Sequence, residues 1–307
     1  MLLTIFTPTY NRAYCLHRVY DSLCRQSCRD FEWLVIDDGS NDNTHPLVDS
    51  WIKENKIPIR YIYQKNQGMH GAHNTAYRNL RGELNMCIDS DDWLPDDTVE
   101  KIITFWETHG DKKYAGVIAL DQHPDGRINS PRFPDHITEI RYPEIDVLTT
   151  SADKKIVLRS DVVTKYPEYP LFPGEKYVGL DYKCFLIGDD FPFLVFNEPV
   201  CIVDYQRDGS GYNMYTQYWN NPRGFAFYRR TEMQHCPHLK RRFIVCAHYV
   251  SSSIRSRNRH FLKESPRKAL TLLAVPAGIA LYCWIRWNVG KGKKLDPYKI
   301  NQKQSAT

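Results

Sequence analysis

Short apolar runs alternate with helix-spaced apolar positions through the first 120 residues. Residues 2–7 read as a buried strand that Pro8 closes. Asn11 stands where a cap would precede a helix whose apolar positions are Leu16, Val19, Tyr20 and Leu23. Residues 32–37, around Trp33-Leu34-Val35-Ile36, predict a second strand, and Leu47, Val48, Trp51 and Ile52 a second helix. A third strand follows at 59–63, a helix at 72–80, a fourth strand at 84–89, a helix at 98–109 and a fifth strand at 115–120. This order predicts an α/β fold, a Rossmann-like and mostly parallel sheet with helices on both faces. Ligands of such sheets bind outside the carboxyl ends of the strands.

From 121 to 142 the pattern gives way to Pro, Asp and Arg, which reads as loops and hairpins. Beyond it the spacing predicts a strand at 154–158, a short helix at 161–165 and a helix at 178–187 carrying Asp181. Residues 195–204 read as a strand pair or hairpin, and the chain after Gly211 as helical and aromatic. The expected division is a domain over 1–230, with halves 1–120 and 121–230, followed by a helical, basic tail over 231–307.

The net charge of +5 is mild and concentrated near the C-terminus, so nucleic acid is not the expected partner. Nine cysteines include no Cys-x-x-Cys spacing, and residues 1–6 lack a basic leader, which together predict reduced thiols in a cytoplasmic protein. The 17 residues 269–285 carry no charge, are interrupted by Pro276 and Gly278, and have Lys and Arg on both sides. An interfacial helix gripping anionic lipid is the first reading, a spanning helix the second and a buried helix the third. The protein is therefore expected at the inner face of the cell membrane.

Asp89-Ser90-Asp91-Asp92 sets three carboxylates just past an apolar strand. Such crowding suits a divalent ion with oxygen ligands, which would neutralise a departing diphosphate. It also suits an acidic turn that caps the next helix, and spacing alone does not separate the two. Asp37-Asp38-Gly39-Ser40 ends the second strand, and a carboxylate there can accept from a pyrimidine N–H or ribose hydroxyls. By itself it reads as an ordinary turn. Gln67-Gly68-Met69-His70-Gly71-Ala72-His73 is a Gly-rich entry into a helix, suited to phosphate or hydroxyl contacts.

Taken in order, Thr7-Pro8-Thr9-Tyr10-Asn11-Arg12, Asp37-Asp38-Gly39-Ser40 and Asp89-Ser90-Asp91-Asp92 resemble the family 2 glycosyltransferases, firmly over about 120 residues and loosely to about 230. Tyr205–Gly211 and Asn221–Gly224 resemble bacterial polysaccharide-type members. The resemblance implies a GT-A fold, a nucleotide-sugar donor (usually UDP-linked), Mn2+ or Mg2+, and inversion at the anomeric carbon. It implies that Pro8, Thr9 and Tyr10 line the base and ribose, that Asp38 reads the uracil, and that Asp91 contacts the donor. Asp92 is then the first candidate for the metal, with Asp91 and Asp89 beside it. The family's general base, an Asp at a downstream helix start, falls on Asp181, with Leu180 where Glu is common; Glu175 is the alternative. The expected acceptor is a hydroxyl of a glycan or lipid-linked glycan in surface polysaccharide synthesis. Transfer to polyprenyl phosphate, nucleotidyl transfer and non-catalytic carbohydrate binding are the competing functions.

Overall fold

The computed structural model describes residues 1–145 and 154–296. The chain forms two compact units. The first comprises Met1–Glu168 and Ile187–Asp204, the second Tyr169–Leu186 and the described residues from Tyr205 on. The expected boundary after residue 230 falls inside a helix, Pro222–His235. Residues 146–153 of the expected acceptor half and 297–307 of the expected tail lie outside the described residues.

The first unit is built on β1 (Leu3–Thr9), α1 (His17–Cys24), β2 (Phe31–Asp37), α2 (Thr44–Glu54), β3 (Ile59–Tyr63), α3 (Met69–Arg78), β4 (Leu84–Cys87) and α4 (Thr98–His109). After these come β5 (Gly116–Gln122), β6 (Glu139–Ile140), β7 (Lys154–Arg159), α5 (Ser160–Val163), α6 (Asp181–Asp190) and β8 (Phe193–Ile202). The break between the units falls within α6. The sheet order is β3-β2-β1-β4-β7-β5-β8-β6. Strands β1 to β4 run parallel, and β7 lies antiparallel between β4 and β5. The fold is the expected GT-A type, an α/β sheet that is mostly parallel.

Residues in β1 and β2 are buried on both faces, because helices cover each side. Trp33 packs beneath Tyr20 and Trp51, whose rings stack at 4.4 Å, and its Nε1 donates to Thr7 Oγ1 at 3.0 Å. Pro8 does not end β1, which runs on to Thr9. The Phe6 carbonyl accepts from Ile88 N, and the Thr9 carbonyl from Asp38 N. By alternation, the missing N–H of Pro8 points to the side that β4 leaves after Cys87.

Two other local expectations change. Asn11 caps no helix: it sits at φ 54°, its N–H donates to Ser40 Oγ, and its side chain accepts from Asn41 N. It staples the loop after β1 to the loop after β2, and α1 starts at His17 without a side-chain cap. Residues 193–202 form one ten-residue strand, not a hairpin, with register shifts opposite Leu120 that absorb Pro199.

The second unit is helical: α7 (Met214–Asn220), α8 (Pro222–His235), α9 (Leu239–Arg255), α10 (Phe261–Glu264), α11 (Lys268–Leu273) and α12 (Val275–Gly290). Helix α12 packs on α9 through Gly278, where an added Cβ would stand 2.5 Å from Val250. Among the described residues, no helix is long and apolar enough to cross a membrane. The spanning reading of 269–285 is thereby removed, since the stretch is divided between α11 and α12.

Candidate active site

Strand β1 lies between β2 and β4, so the carboxyl ends of these three strands share one edge of the sheet. Three sequence motifs arrive there. At the end of β1, Pro8 and Thr9 are buried and Tyr10 is exposed. The Thr9 hydroxyl oxygen is buried and has no hydrogen-bond partner among the described residues. A buried hydroxyl of this kind costs stability unless a ligand or water meets it.

At the end of β2, Asp37 and Asp38 both point into the protein. Asp37 accepts from Ser40 N at 2.7 Å and from the Tyr61 hydroxyl at 2.6 Å; burial first, and then this bond, raises the Tyr61 phenol above its ordinary value. The Asp38 carboxylate, 4% exposed, accepts from the Gln64 side chain at 2.7 Å, Gln67 N at 2.8 Å and Gly68 N at 2.7 Å. It thus fixes the entry to α3, where Gly68 adopts φ 84°. His73 serves packing: its Nδ1 meets the Met69 carbonyl at 2.9 Å and its ring lies edge-on to Phe6.

After β4 the acidic cluster turns tightly, with Asp92 N donating to the Asp89 carbonyl at 3.1 Å. Asp89 and Asp91 are half-buried, whereas Asp92 is buried. Asp91 lies against the loop after β1: burial, then the Asp91 carboxylate, pushes the Cys15 thiol up to about 11. Asp92 Oδ1 accepts from Asp204 N at 3.2 Å, and Asp204 in turn holds Arg18 at 2.7 Å.

The partner of Asp92 is a residue that sequence reading passed over. Lys155 Nζ lies 4.0 Å from Asp92 Oδ2 and 3.9 Å from Asp121 Oδ1. Because β7 runs antiparallel, its first residues sit at the same edge as the carboxyl ends of β4 and β5. Burial pushes the Asp92 carboxyl well up, against the pull of Lys155. Burial alone would lower Lys155, but Asp121 and Asp92 outweigh it and hold the ammonium charged. Local pattern predicts only that Lys155 lies in a strand; the antiparallel pairing that delivers it to this edge has no local signal.

The second unit holds both candidate bases. Asp181 is exposed at the first position of α6, where a carboxylate is favoured by the helix N-terminus, and it accepts from the Tyr228 hydroxyl at 3.1 Å. Glu175 is buried, and its oxygens accept from Arg223 N at 3.1 Å, Arg223 Nε at 2.8 Å and Gly224 N at 2.8 Å. It binds the start of α8 and engages Arg223. Arg207 lies in a turn closed by Gly209 N to the Gln206 carbonyl.

Residues 4–162, more than half of the 307, match the family described as Glycosyl transferase family 2. The chain belongs to that family. The glycosyltransferase is 34% identical over 100 residues to glycosyltransferase GlyA of Streptococcus pneumoniae, and 38% identical over 99 residues to chondroitin synthase of Escherichia coli. These segments cover 33% and 32% of this chain, and the chain spans only 14% of each relative's length. An uncharacterized glycosyltransferase of Haemophilus influenzae is 25% identical over 179 residues, 56% of this chain and 70% of its own. Among solved structures, S. aureus TarS 1-349 in complex with UDP-GlcNAc superimposes with TM-score 0.62 at 15% identity, covering 95% of this chain and 93% of that one. Mannosyltransferase PcManGT of Pyrobaculum calidifontis, in complex with GDP-Man and Mn2+, gives TM-score 0.53 at 16% identity, covering 99% and 84%. At these identities the likeness shows the fold.

The glycosyltransferase fold brings Pro8, Thr9, Tyr10, Asp38, Asp89, Asp91 and Asp92 to one sheet edge. Among the described residues no three His, Cys, Asp or Glu side chains converge as a metal cage. Mg2+ and Mn2+ need none: one or two carboxylates suffice when phosphate oxygens and water fill the shell. Asp89 and Asp91, half-buried oxygen donors at the strand end, fit that requirement. Asp92 faces an ammonium already.

Proposed function

We propose that this enzyme transfers a sugar from a nucleotide-sugar donor, with UDP the favoured carrier, to a hydroxyl of a glycan or lipid-linked acceptor, with inversion. The observation that carries the reading is the meeting of Thr9, Asp38 and the Asp89–Asp92 turn at the carboxyl edge of β1, β2 and β4. Pro8, the unsatisfied Thr9 hydroxyl and the exposed Tyr10 would receive the base and ribose. Asp38 would shape the pocket wall by holding Gln67 and Gly68 at the entry to α3.

Asp91, with Asp89, would hold Mn2+ or Mg2+. The ion would neutralise charge on the departing diphosphate. Asp92 would then keep the turn in place from behind, through Lys155 and the Asp204 backbone. An inverting transfer needs a base for the acceptor hydroxyl. Asp181 suits it better than Glu175, whose oxygens already bind Arg223 and Gly224. Relatives named as chondroitin and hyaluronan synthases support a glycan acceptor and surface polysaccharide synthesis. The nine free thiols suit a reducing compartment, in keeping with action at the cytoplasmic face of a membrane.

The test is a panel of UDP-, GDP- and dTDP-sugars, assayed for Mn2+-dependent hydrolysis and for thermal stabilisation of the full chain. Turnover of one UDP-sugar that chelation stops is the expected result. Pyrophosphate release from nucleoside triphosphates in place of it would overturn the reading.

A further inference from the structure

The outward side of α12 is apolar where a helix on a water-facing surface carries charge. Gly278, Ile285 and Asn288 are buried, while Pro276, Ile279, Ala280, Cys283, Trp284 and Trp287 on the far side are exposed. Just before them, Leu272 and Leu273 of α11 are 58% and 70% exposed. Within α12 the strip from Pro276 to Trp287 runs about 16 Å at the helical rise and carries one exposed cation, Arg286, at its far end. Contiguous exposed apolar surface of this kind marks an interaction site.

Cations bound the strip at both ends. Lys263 and Lys268 line a shallow groove with Leu262, Ala269 and Leu272. At the other end Lys291 lies 3.9 Å from the centre of the Trp287 ring, and Lys293 5.8 Å from that of Trp284. From Arg255 to Lys294 the chain carries ten Lys and Arg and one acid, Glu264. A second copy would bring the same cations against themselves. A surface that combines hydrocarbon with anionic phosphate satisfies both features at once.

We propose that the outer face of α11–α12 docks flat on an anionic lipid bilayer, the Leu272–Leu273 pair, Ile279 and the two Trp side chains entering the interface. Cations at both ends hold the helix in the membrane plane, and α12, 16 residues long, is too short to cross. The proposal names the surface at which the lipid-linked acceptor of the preceding reading would be met, but its evidence is independent of the donor site.

The experiment uses the full chain with vesicles of pure phosphatidylcholine and of phosphatidylcholine with about 30% phosphatidylglycerol. Expected are co-sedimentation with the anionic vesicles only, weakening with salt, a blue shift of Trp emission, and quenching by brominated acyl chains. Leu273→Glu with Trp287→Glu should abolish binding. Lys291→Gln, Lys293→Gln and Lys294→Gln together should weaken it by roughly fivefold per cation removed. Equal binding to both vesicles, no binding to either, or unaltered binding by both variants would overturn the proposal. So would a concentration-dependent dimer that the Glu variant dissolves, since the face would then belong to a second copy. Nucleotide-sugar hydrolysis without vesicles separates the readings. Its persistence with no vesicle binding overturns only the docking face, and its absence with vesicle binding intact overturns only the donor site.

Discussion

Lys155 stands 4.0 Å from the Asp92 carboxylate, at the back of the turn whose front carries Asp89 and Asp91. The cluster therefore contains its own counter-charge before any ion arrives. One buried ammonium faces two buried carboxylates, those of Asp92 and Asp121. Removing one partner of a buried ion pair leaves uncompensated charge, at a cost of about 3–5 kcal/mol. Lys155→Met should lower the urea midpoint of unfolding accordingly, and adding Asp121→Asn should restore part of the loss. An unchanged midpoint in Lys155→Met would mean that the ammonium supports nothing.

The same relationship divides the labour among the acids. Asp91→Asn should cut metal-dependent donor turnover by 100-fold or more, about 3 kcal/mol of transition-state stabilisation, with the melting temperature nearly unchanged. Asp92→Asn should act through the scaffold instead, lowering stability and weakening the Mn2+ response about tenfold, as supporting groups behind a ligand do. A Mn2+ titration of both variants decides. If Asp92→Asn alone erased the metal response at full stability, the ion would belong on Asp92.

What could be read before the structure was whatever local pattern determines. Strands β1 to β5 and helices α1 to α4 follow from the periodicity of their apolar residues, and the acidic turn from its place after an apolar run. Positions set by pairing between distant segments were illegible. Lys155 reaches the site only because β7 inserts antiparallel between β4 and β5. The bonds from Gly68 N to Asp38 and from Gly224 N to Glu175 join segments 30 and 49 residues apart, so no local pattern announces them. The helix expected from 178 begins at Asp181, and Gly179 before it lies so close to the Tyr228 ring, a long-range contact, that a Cβ would stand 2.8 Å from it.

Asp181 and Glu175 separate by what each already does. Asp181→Asn should reduce acceptor transfer by about 100- to 10,000-fold, the usual contribution of a general base, while donor affinity and stability stay near wild type. Glu175→Gln should lower stability, since a buried carboxylate loses its charge-assisted bonds to Arg223 and Gly224. The two are compared by transfer rate with acceptor and by nucleotide-sugar hydrolysis without it. Full transfer by Asp181→Asn would remove it as base and favour a phosphate acceptor, which needs none.

The second unit should lose stability in mild acid through His248. Its imidazole is pushed down to about 3, first by burial and then by the Arg229 and Arg241 guanidinium groups, while the Tyr218 ring lies 5.3 Å away. In the unfolded chain the same group titrates near its ordinary value of about 6.5. The unfolded state therefore takes up a proton that the folded state refuses. The His248 contribution is complete above about pH 6.5 and declines as the pH falls toward about 3, by at most about 1.4 kcal/mol per pH unit. Between pH 6.5 and 5 that is about 1–2 kcal/mol, allowing for partial exposure. Denaturant midpoints at pH 7.5, 6 and 5 should fall together with the His charge, and His248→Phe, which keeps the ring packing, should flatten the decline. A variant whose midpoints track wild type at all three pH values would place the acid sensitivity elsewhere.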